Sequence, residues 1–230
     1  MGTRERHDRE RQAVRDAILT AARELFVAEG YRNVSMRKIA ERIEYSPAAI
    51  YGYFDSKDAI FFALAEEGFR LIAEASRAAK AGVSDPLDAM RRMFLSYYRF
   101  SREHPQFFEL MFLDRTVPQL SEHWNDFAFV HEAMQGAIGV VQQAVDAGVL
   151  PAGSDPAAIF HVLWAAIHGP AAIALCARHA PGENPEALAH DALDAAIAGL
   201  RAGVRPTFVP DCHAFTPVGA QTEEAPHVPS

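Results

Sequence analysis

The stretch SMRKIAERIEYSPAAIYGYFDSK, residues 35–57, decides the fold of the amino-terminal part of this chain. At the helical period it divides into two short segments, each with its apolar residues on one face. Ile39 and Ile43 share a face of the first segment, and Ile50 and Phe54 share a face of the second. Two short helices joined by a tight turn predict a helix-turn-helix, the motif whose second helix enters the DNA major groove.

Capping residues mark where the second helix of this motif begins. Ser46 is a suitable N-cap, because its hydroxyl can accept a hydrogen bond from the first helical turn. Pro47 suits the first helical position, where its missing N–H removes no hydrogen bond. The second helix should therefore start at Pro47.

The residues around this stretch resemble the DNA-binding domain of the TetR family of bacterial transcriptional regulators. The resemblance covers roughly residues 14–64 and includes a preceding helix, its spacing to the motif and a trailing Tyr-x-x-Phe-x-x-Lys run. It implies an all-α protein with a three-helix DNA-binding domain, followed by a larger helical domain that dimerises and binds an effector. The supporting residues are VRDAILTAARELFVA (14–28), Glu29-Gly30-Tyr31, Ser35, Ile39-Ala40, Ser46 to Phe54, and Ser56-Lys57.

Few side chains of the second helix are free to contact DNA, because its apolar face is needed for packing. Ala48 and Ala49 can make only apolar contacts, for instance with a thymine methyl group. The resemblance implies phosphate contacts for Tyr51 and Tyr53, although both rings could instead be half-buried packing residues. The predicted DNA-contacting residues are Ser35, Arg37, Lys38, Ser46, Pro47, Ala48, Ala49, Tyr51, Gly52, Tyr53 and Lys57.

Two lysines of this set stand near helix N-termini. Lys57 follows the N-cap candidate Ser56, where free backbone N–H groups and the helix dipole already favour a phosphate. Lys38 lies in the first turn after Ser35, a position unfavourable for a cation. A phosphate partner would explain Lys38, and a solvated lysine that tolerates a small cost is the alternative.

Two positions depart from the family pattern. The turn between the helices carries Glu44 where the family usually has Gly, and a left-handed backbone there costs a non-Gly residue about 1 kcal/mol. Gly52 stands where the family commonly has a larger side chain. It weakens the helix by about 1 kcal/mol relative to Ala and allows close approach of the backbone to DNA.

The charge of the chain is divided unevenly between its two parts. The net charge is −8, yet residues 1–57 hold 11 Lys and Arg against 9 Asp and Glu. A mildly basic head in front of an acidic body orients the head toward a polyanion. Five arginines precede residue 16, and we predict that residues 1–11 form a flexible basic arm.

Length and composition limit which classes of protein the chain can belong to. With 230 residues, half of them hydrophobic, the chain can bury a substantial core. No apolar run reaches the length of a membrane span, and the polar N-terminus is no signal peptide, so we expect no membrane partner. Cys176 and Cys212 stand in unrelated contexts, which favours the reducing cytoplasm.

The pattern predicts an all-α protein of about nine helices. We expect an arm at 1–11, a helix-turn-helix domain at 12–56, an effector-binding and dimerisation domain at 57–205 and a disordered Pro-rich tail at 206–230. Gly, Pro and capping residues punctuate the helices. The predicted helices are 12–29, 35–42, 47–53, 57–80, 86–103, 104–113, 119–147, 156–178 and 185–203.

The carboxy-terminal half carries a second, shorter resemblance. Trp164-x-x-x-His168-Gly169 looks like the Trp-His-Gly signature of one group of TetR-type C-terminal domains, and Pro170 predicts a kink. The two Ala-rich helices 156–178 and 185–203 suit a four-helix interface between two copies of the chain. Packing within one chain is the alternative.

Aromatic and Met residues of the larger domain could line a mostly apolar pocket for a small apolar or aromatic effector. Most such residues are core, and a few tyrosine and histidine side chains could supply polar anchors. The predicted ligand-binding residues are Phe94, Tyr97, Phe108, Met111, Phe112, Phe127, His131, His161, Trp164 and His168.

Other classes of function find less support in the sequence. His161 and His168 lie two helical turns apart, about 10 Å along the axis, too far to bind one metal ion together. We therefore expect no metal or other cofactor. An enzyme that uses the aromatic, His-lined pocket and a DNA-binding regulator without an effector remain as alternatives to the ligand-responsive homodimeric repressor of a palindromic operator.

Overall fold

A computed structural model describes residues 2–119 and 128–210, and this part of the chain is all α-helical, as predicted. It contains nine α-helices and no β-strand. A short 3₁₀ turn, Tyr31–Asn33, follows the first helix, and a π-helical turn, Glu109–Leu113, extends the sixth. The helices are α1 Thr3–Glu29, α2 Met36–Arg42, α3 Pro47–Tyr51, α4 Lys57–Lys80, α5 Pro86–Glu103, α6 Pro105–Phe108, α7 Ala128–Asp146, α8 Pro156–Leu175 and α9 Pro185–Arg201.

Local capping explains most of the helix starts. The side chains of Ser46 before α3 and Ser56 before α4 accept hydrogen bonds from backbone N–H groups of the first turn. Asp85, Asp155 and Asn184 do the same before α5, α8 and α9, and each is followed by Pro at the first helical position. Such caps use N–H groups that would otherwise lack a partner.

The amino-terminal core joins α1 to α4. Phe26, Ile39, Ile50 and Phe61 are each at most 1% exposed, one from each helix. Burying these side chains holds the two short helices against the long ones, since isolated helices of 5 or 7 residues are not stable in water. The small domain therefore exists only as a packed unit.

The larger domain is built around α5, which packs against α4, α7, α8 and α9. Nine of its 18 residues are buried, including Phe94 and Tyr97. α4 belongs to both parts of the molecule, because its first turns pack in the amino-terminal core and its remainder packs along α5. α1 also reaches the larger domain, where the Arg23 guanidinium lies 4.6 Å from the Phe107 ring centroid.

The predicted flexible arm differs from the structure, in which α1 begins at Thr3 rather than at residue 12. Polar contacts one helical turn apart support this extension, among them the ion pair of Arg6 with Glu10 and the hydrogen bond from Arg9 to the carbonyl oxygen of Glu5. These first turns of α1 have no apolar face, so apolar periodicity does not reveal them.

Smaller differences occur at other helix ends. α3 ends at Tyr51, α8 at Leu175 and α9 at Arg201, each two or three residues before the predicted end. Of the predicted helix 119–147, the structure describes the part from Ala128 to Asp146. α8 continues through Pro170, and the predicted kink stays a prediction.

The start of the predicted disordered tail packs against the body. Residues 206–210 have no regular secondary structure, yet Pro210 is buried and the Phe208 ring centroid lies 5.3 Å from that of His161. Residues 211–230, the rest of the predicted tail, lie outside the described residues.

One helix of the described part, α8, is long and apolar enough to cross a membrane, which the sequence analysis did not recognise. It is 20 residues long, and 44% of its apolar window is buried against other helices. Its contacts with α5, α7 and α9 explain its composition as that of a core helix.

Candidate nucleic-acid interface and ligand cavity

The helix-turn-helix presents one exposed surface, formed by the start of α2, the turn and α3. Ser35 and Ser46 cap the two helices through hydrogen bonds from the N–H groups of Lys38 and Ala49, both at 3.2 Å. Of the predicted contact residues, seven are exposed and four, Lys38, Ala49, Tyr53 and Lys57, are half-buried. The exposed residues are Ser35, Arg37, Ser46, Pro47, Ala48, Tyr51 and Gly52.

The turn has the left-handed backbone that the sequence led us to expect at Glu44, where φ is +60°. Its side chain is exposed, so a carboxylate lies beside the predicted DNA-contacting surface. Tyr45, the next residue, is 44% exposed and was not among the predicted contacts. An aromatic residue outside the apolar face of the motif was the signal that could have identified it.

Arg11 connects α1 to the recognition helix α3. Its guanidinium donates a hydrogen bond of 3.0 Å to the carbonyl oxygen of Gly52 and lies 5.0 Å from the Tyr53 ring centroid. The residue belongs to the segment predicted as a flexible arm, so the sequence analysis did not connect it with α3. This contact places one cation of α1 at the C-terminal end of the recognition helix.

Lys57 occupies a structural position as well as a predicted phosphate-binding one. Its ammonium donates hydrogen bonds of 2.8 Å to the carbonyl oxygen of Tyr31 and 2.9 Å to that of Val34. It also lies 4.1 Å from the Tyr31 ring centroid. Burial lowers the pKa of Lys57, an effect that the charge of Asp58 partly offsets. Lys57 thus joins the start of α4 to the segment that precedes α2.

Other cations of the motif are paired with carboxylates. Lys38 forms an ion pair with Glu29, which is neither of the two alternatives considered from the sequence. Arg37 pairs with Glu41 at 2.7 Å, one helical turn away, and Arg42 pairs with Glu24 of α1 at 3.0 Å. A phosphate would have to compete with these carboxylates for Lys38 and Arg37.

A cavity of about 700 Å³ lies in the larger domain between α4, α5, α7 and α8. Its volume falls within the range of about 300–1,000 Å³ that is usual for small-molecule sites. Five of the predicted ligand-binding residues line it, and most of the remaining lining residues are apolar. The five are Phe94, Tyr97, Phe112, His161 and Trp164.

Of the predicted ligand-binding residues, Phe108, Met111, His131 and His168 do not line the cavity. Phe108 packs behind it, with its ring stacked on His168 at 5.4 Å between centroids. Met111 packs against α4 at Gly68, where an added Cβ would lie 2.2 Å from the Met111 sulfur. His131 is buried and absent from the lining, and Phe127 lies outside the described residues.

Tyr97 connects the cavity wall to His168. The Tyr97 hydroxyl lies 2.8 Å from Nδ1 of His168. Burial raises the pKa of Tyr97 and lowers the pKa of His168, so near neutral pH both groups are uncharged. The two uncharged groups share one hydrogen bond, and its donor is set by which imidazole nitrogen carries the proton. This hydrogen bond orients the Tyr97 ring at the cavity wall.

Sequence reasoning missed the α4 and α7 walls of the cavity. Phe69, Ile72, Arg77 and Lys80 come from α4, and the residues from Phe129 to Ala137 that line it come from α7. The helical spacing of the apolar α4 residues marks a buried face but does not distinguish a cavity wall from a filled core. Among the described residues, no group of three or more His, Cys, Asp or Glu could hold a metal ion.

The fold and the exposed surface of α2 and α3 define a helix-turn-helix transcriptional regulator. Residues 18–64 match the family described as "Bacterial regulatory proteins, tetR family", and residues 90–196 match the "Tetracyclin repressor-like, C-terminal domain". The chain belongs to the TetR family, as its sequence predicted, and it is a DNA-binding transcriptional regulator. The Trp-His-Gly subgroup stays a prediction.

Individual relatives agree with this assignment. The chain is 26% identical over 150 residues to the transcriptional repressor NicS of Pseudomonas putida, a match that covers 64% of this chain and 70% of the relative. It is 43% identical over 72 residues to the repressor Rv1474c of Mycobacterium tuberculosis, covering 31% and 38%.

Solved structures show the same fold. A protein from Rhodococcus sp. RHA1 is similar with a TM-score of 0.67 at 26% identity, covering 81% of this chain and 95% of that one. The TetR family regulator PfmR of Thermus thermophilus has a TM-score of 0.60 at 23% identity, covering 80% and 98%.

Proposed function

We propose that the protein is a homodimeric repressor that leaves a palindromic operator when a small molecule with an apolar body fills the cavity between α4, α5, α7 and α8. One observation carries the proposal: α4 is a single helix whose N-terminus is held in the DNA-binding domain and whose C-terminal half lines the cavity. A ligand that moves the C-terminal half of α4 therefore also moves the helix-turn-helix formed by α2 and α3.

The coupling requires two states with different positions of α4. A ligand shifts the equilibrium only by its difference in affinity for the two states. A ligand in the cavity contacts Phe69, Ile72 and Ser76 of α4 and pushes this helix away from α5 and α7. At the other end, the contacts of Lys57 with Tyr31 and Val34 carry a displacement of α4 into the segment before α2.

The exposed face of α8 and α9 supports the homodimer. Ala165 of α8 and Ala195 and Ala198 of α9 are exposed small residues, and Leu188 of α9 is 44% exposed. Small residues allow helices of two copies to approach closely, and two helices from each copy form a four-helix interface. A dimer holds two helix-turn-helix motifs, one from each copy, which fit half-sites about 34 Å apart on one face of DNA.

Selection from randomised duplexes at two salt concentrations, with the mass of the complex measured by light scattering, tests the first half of the proposal. We expect a palindromic site, bound by a dimer, with affinity that falls as salt rises. Binding of a monomer to an asymmetric site would overturn it.

A charge placed on the proposed interface tests the dimer separately. Ala195→Glu should produce monomers and weaken operator binding, because two like charges would meet across the interface. Ala17→Glu is the matched control, since Ala17 is an exposed alanine in the middle of α1. A dimer that survives Ala195→Glu would place the interface elsewhere.

The selected operator then allows a screen for effectors. The control is a variant whose cavity is too small for a ligand: Ala73→Phe adds a large side chain to the α4 wall and fills part of the space. We expect this variant to resist release by any effector found with the native protein. Release that is unchanged in the variant would show that effectors bind elsewhere.

A further inference from the structure

The cavity has a cationic end. Arg77 and Lys80 lie in the last turn of α4, and both line the cavity. Glu132 of α7 is the acidic residue of the described lining, so the charged groups there sum to one positive charge. The opposite walls are aromatic, with Phe94, Phe112 and others. The cavity therefore combines a large apolar surface with a cationic edge.

Lys80 is half-buried and Arg77 is exposed, and within residues 2–119 and 128–210 neither forms an ion pair or a side-chain hydrogen bond. Arg70, two helical turns before Arg77 on the same helix, pairs with Glu66 at 2.7 Å. Burial lowers the pKa of Lys80, and the charge of Arg77 lowers it further. Both causes disfavour an ammonium at this position unless an anion arrives.

Cations are common in the last turn of a helix, because they interact favourably with the helix dipole. That effect explains why basic residues stand here, and it needs only exposed side chains. It does not explain why Lys80 is partly withdrawn from water at the cavity wall, since a desolvated cation is unfavourable without an anionic partner. A negatively charged ligand group would supply that partner.

We propose that the effector is an amphipathic carboxylate, whose carboxylate group binds Arg77 and Lys80 and whose apolar body lies against Phe94, Phe112 and Trp164. This inference rests on the proposed ligand-responsive function and names the chemical class of its ligand. An uncharged apolar effector, the class expected from the sequence, would leave the cationic end of the cavity without a partner.

Trp164 provides the signal for a binding experiment, because it lines the cavity. The chain has two tryptophans, and replacing the other one with Trp124→Phe in every variant leaves Trp164 as the reporter. The probes are decanoate and 1-decanol, which share an alkyl chain and differ in the charge of the head group. Both are titrated below the concentrations at which they aggregate, with fluorescence and operator binding as readouts.

We expect decanoate to bind about tenfold more tightly than 1-decanol, since a hydrogen bond to a charged group contributes about that factor. Partition from water alone favours the alcohol, so this order identifies recognition of the charge. Lys80→Met and Arg77→Met should each weaken decanoate binding severalfold and leave 1-decanol binding unchanged. The alcohol also verifies that the variants keep the cavity.

Arg201→Met is the matched control, because Arg201 is an exposed cation in the last turn of α9. It removes the same charge from a helix C-terminus outside the cavity and should leave the preference for decanoate intact. A loss of the preference in this variant would mean that the net charge of the protein, not the cavity, recognises the carboxylate.

The remaining outcomes separate the two proposals. Equal binding of both probes to the native protein, or a preference that survives Lys80→Met combined with Arg77→Met, overturns the carboxylate inference. If 1-decanol then still releases the operator, the ligand-responsive function stands. If neither probe changes Trp164 fluorescence or operator binding, the carboxylate inference fails, and the effector screen with the Ala73→Phe control decides the ligand-responsive function.

Discussion

Replacing Lys57 with methionine should destabilise the DNA-binding domain, in addition to any effect on DNA affinity. Methionine keeps most of the aliphatic side chain and removes the ammonium, which donates to the carbonyl oxygens of Tyr31 and Val34 and lies over the Tyr31 ring. The change in the free energy of unfolding therefore measures the polar contacts of this one side chain.

The magnitude follows from those contacts. A hydrogen bond from a charged donor contributes about 1.5–3 kcal/mol when buried. Lys57 is half-buried, so water replaces part of each lost bond, and the cation–π contact adds about 0.5–1 kcal/mol. We expect the free energy of unfolding to fall by about 2 kcal/mol in total.

Urea unfolding followed by circular dichroism measures this effect. The midpoint should fall by about 1 M with an unchanged slope, given slopes of about 1–3 kcal/mol per molar urea. Lys38→Met is the matched control in the same domain, because Lys38 is also half-buried and its ammonium pairs with the carboxylate of Glu29 instead of with backbone carbonyls. A partly exposed ion pair contributes about 0–1 kcal/mol, so the control should unfold close to the native midpoint.

Operator affinity measured well below both midpoints completes the experiment. A native midpoint together with a large loss of DNA affinity in Lys57→Met would refute the reasoning, because it would assign Lys57 to phosphate contact alone. Equal destabilisation by Lys57→Met and Lys38→Met would also refute it.

Four further substitutions test the predicted DNA-contacting surface of α2, the turn and α3, and the wall of the cavity. Glu44→Gly should raise stability by about 1 kcal/mol in urea unfolding, since φ there is +60°, and should strengthen operator binding by removing a carboxylate; a less stable variant would contradict this. Tyr51→Phe should weaken operator binding by about 1 kcal/mol at an unchanged urea midpoint, because Tyr51 is 53% exposed; unchanged affinity would remove Tyr51 from the interface. Gly52→Arg should alter operator affinity or site preference without unfolding the domain, because φ of −74° accepts a side chain and the added Cβ, 3.2 Å from the Ala49 carbonyl oxygen, requires only a small local shift; indifference in a repeated duplex selection would place Gly52 off the DNA. His168→Gln should reduce the loss of stability between pH 7 and pH 5. Burial lowers the pKa of His168 in the folded protein, so the contribution of the neutral imidazole to stability is complete above the pKa of the unfolded state and is lost as the pH falls toward the pKa of the folded state. The slopes of stability against pH should differ by at most about 1.4 kcal/mol per pH unit, and parallel profiles for the variant and the native protein would refute this role of His168.

Sequence reasoning located most helices because their boundaries are local. α4 and α5 begin and end where the pattern predicted, since Ser56 and the Asp85-Pro86 pair cap their first turns. The start of α1 was missed because its first three turns are polar and depend on pairs such as Arg6 with Glu10. The helix-turn-helix and the TetR family also followed from residues close together in the chain.

Partnerships between distant residues could not be predicted in this way. Lys57 and Lys38 look alike in sequence, as cations in the first turn of a helix, yet one donates to backbone carbonyls and the other pairs with Glu29. Arg11 reaches Gly52, 41 residues away. Which carbonyl or carboxylate a long side chain meets depends on how α1, α2 and α4 cross, and periodicity does not encode crossing geometry.

The sequence by itself determined that the chain is helical, where its short recognition helix begins and which family it belongs to, because caps, turn residues and helical periodicity act over a few residues. Tertiary structure alone decided which aromatic side chains line the cavity and that Arg77 and Lys80 form its cationic end. A cavity is the space that four helices leave unfilled, and that space depends on their packing angles and distances rather than on the pattern of any one helix.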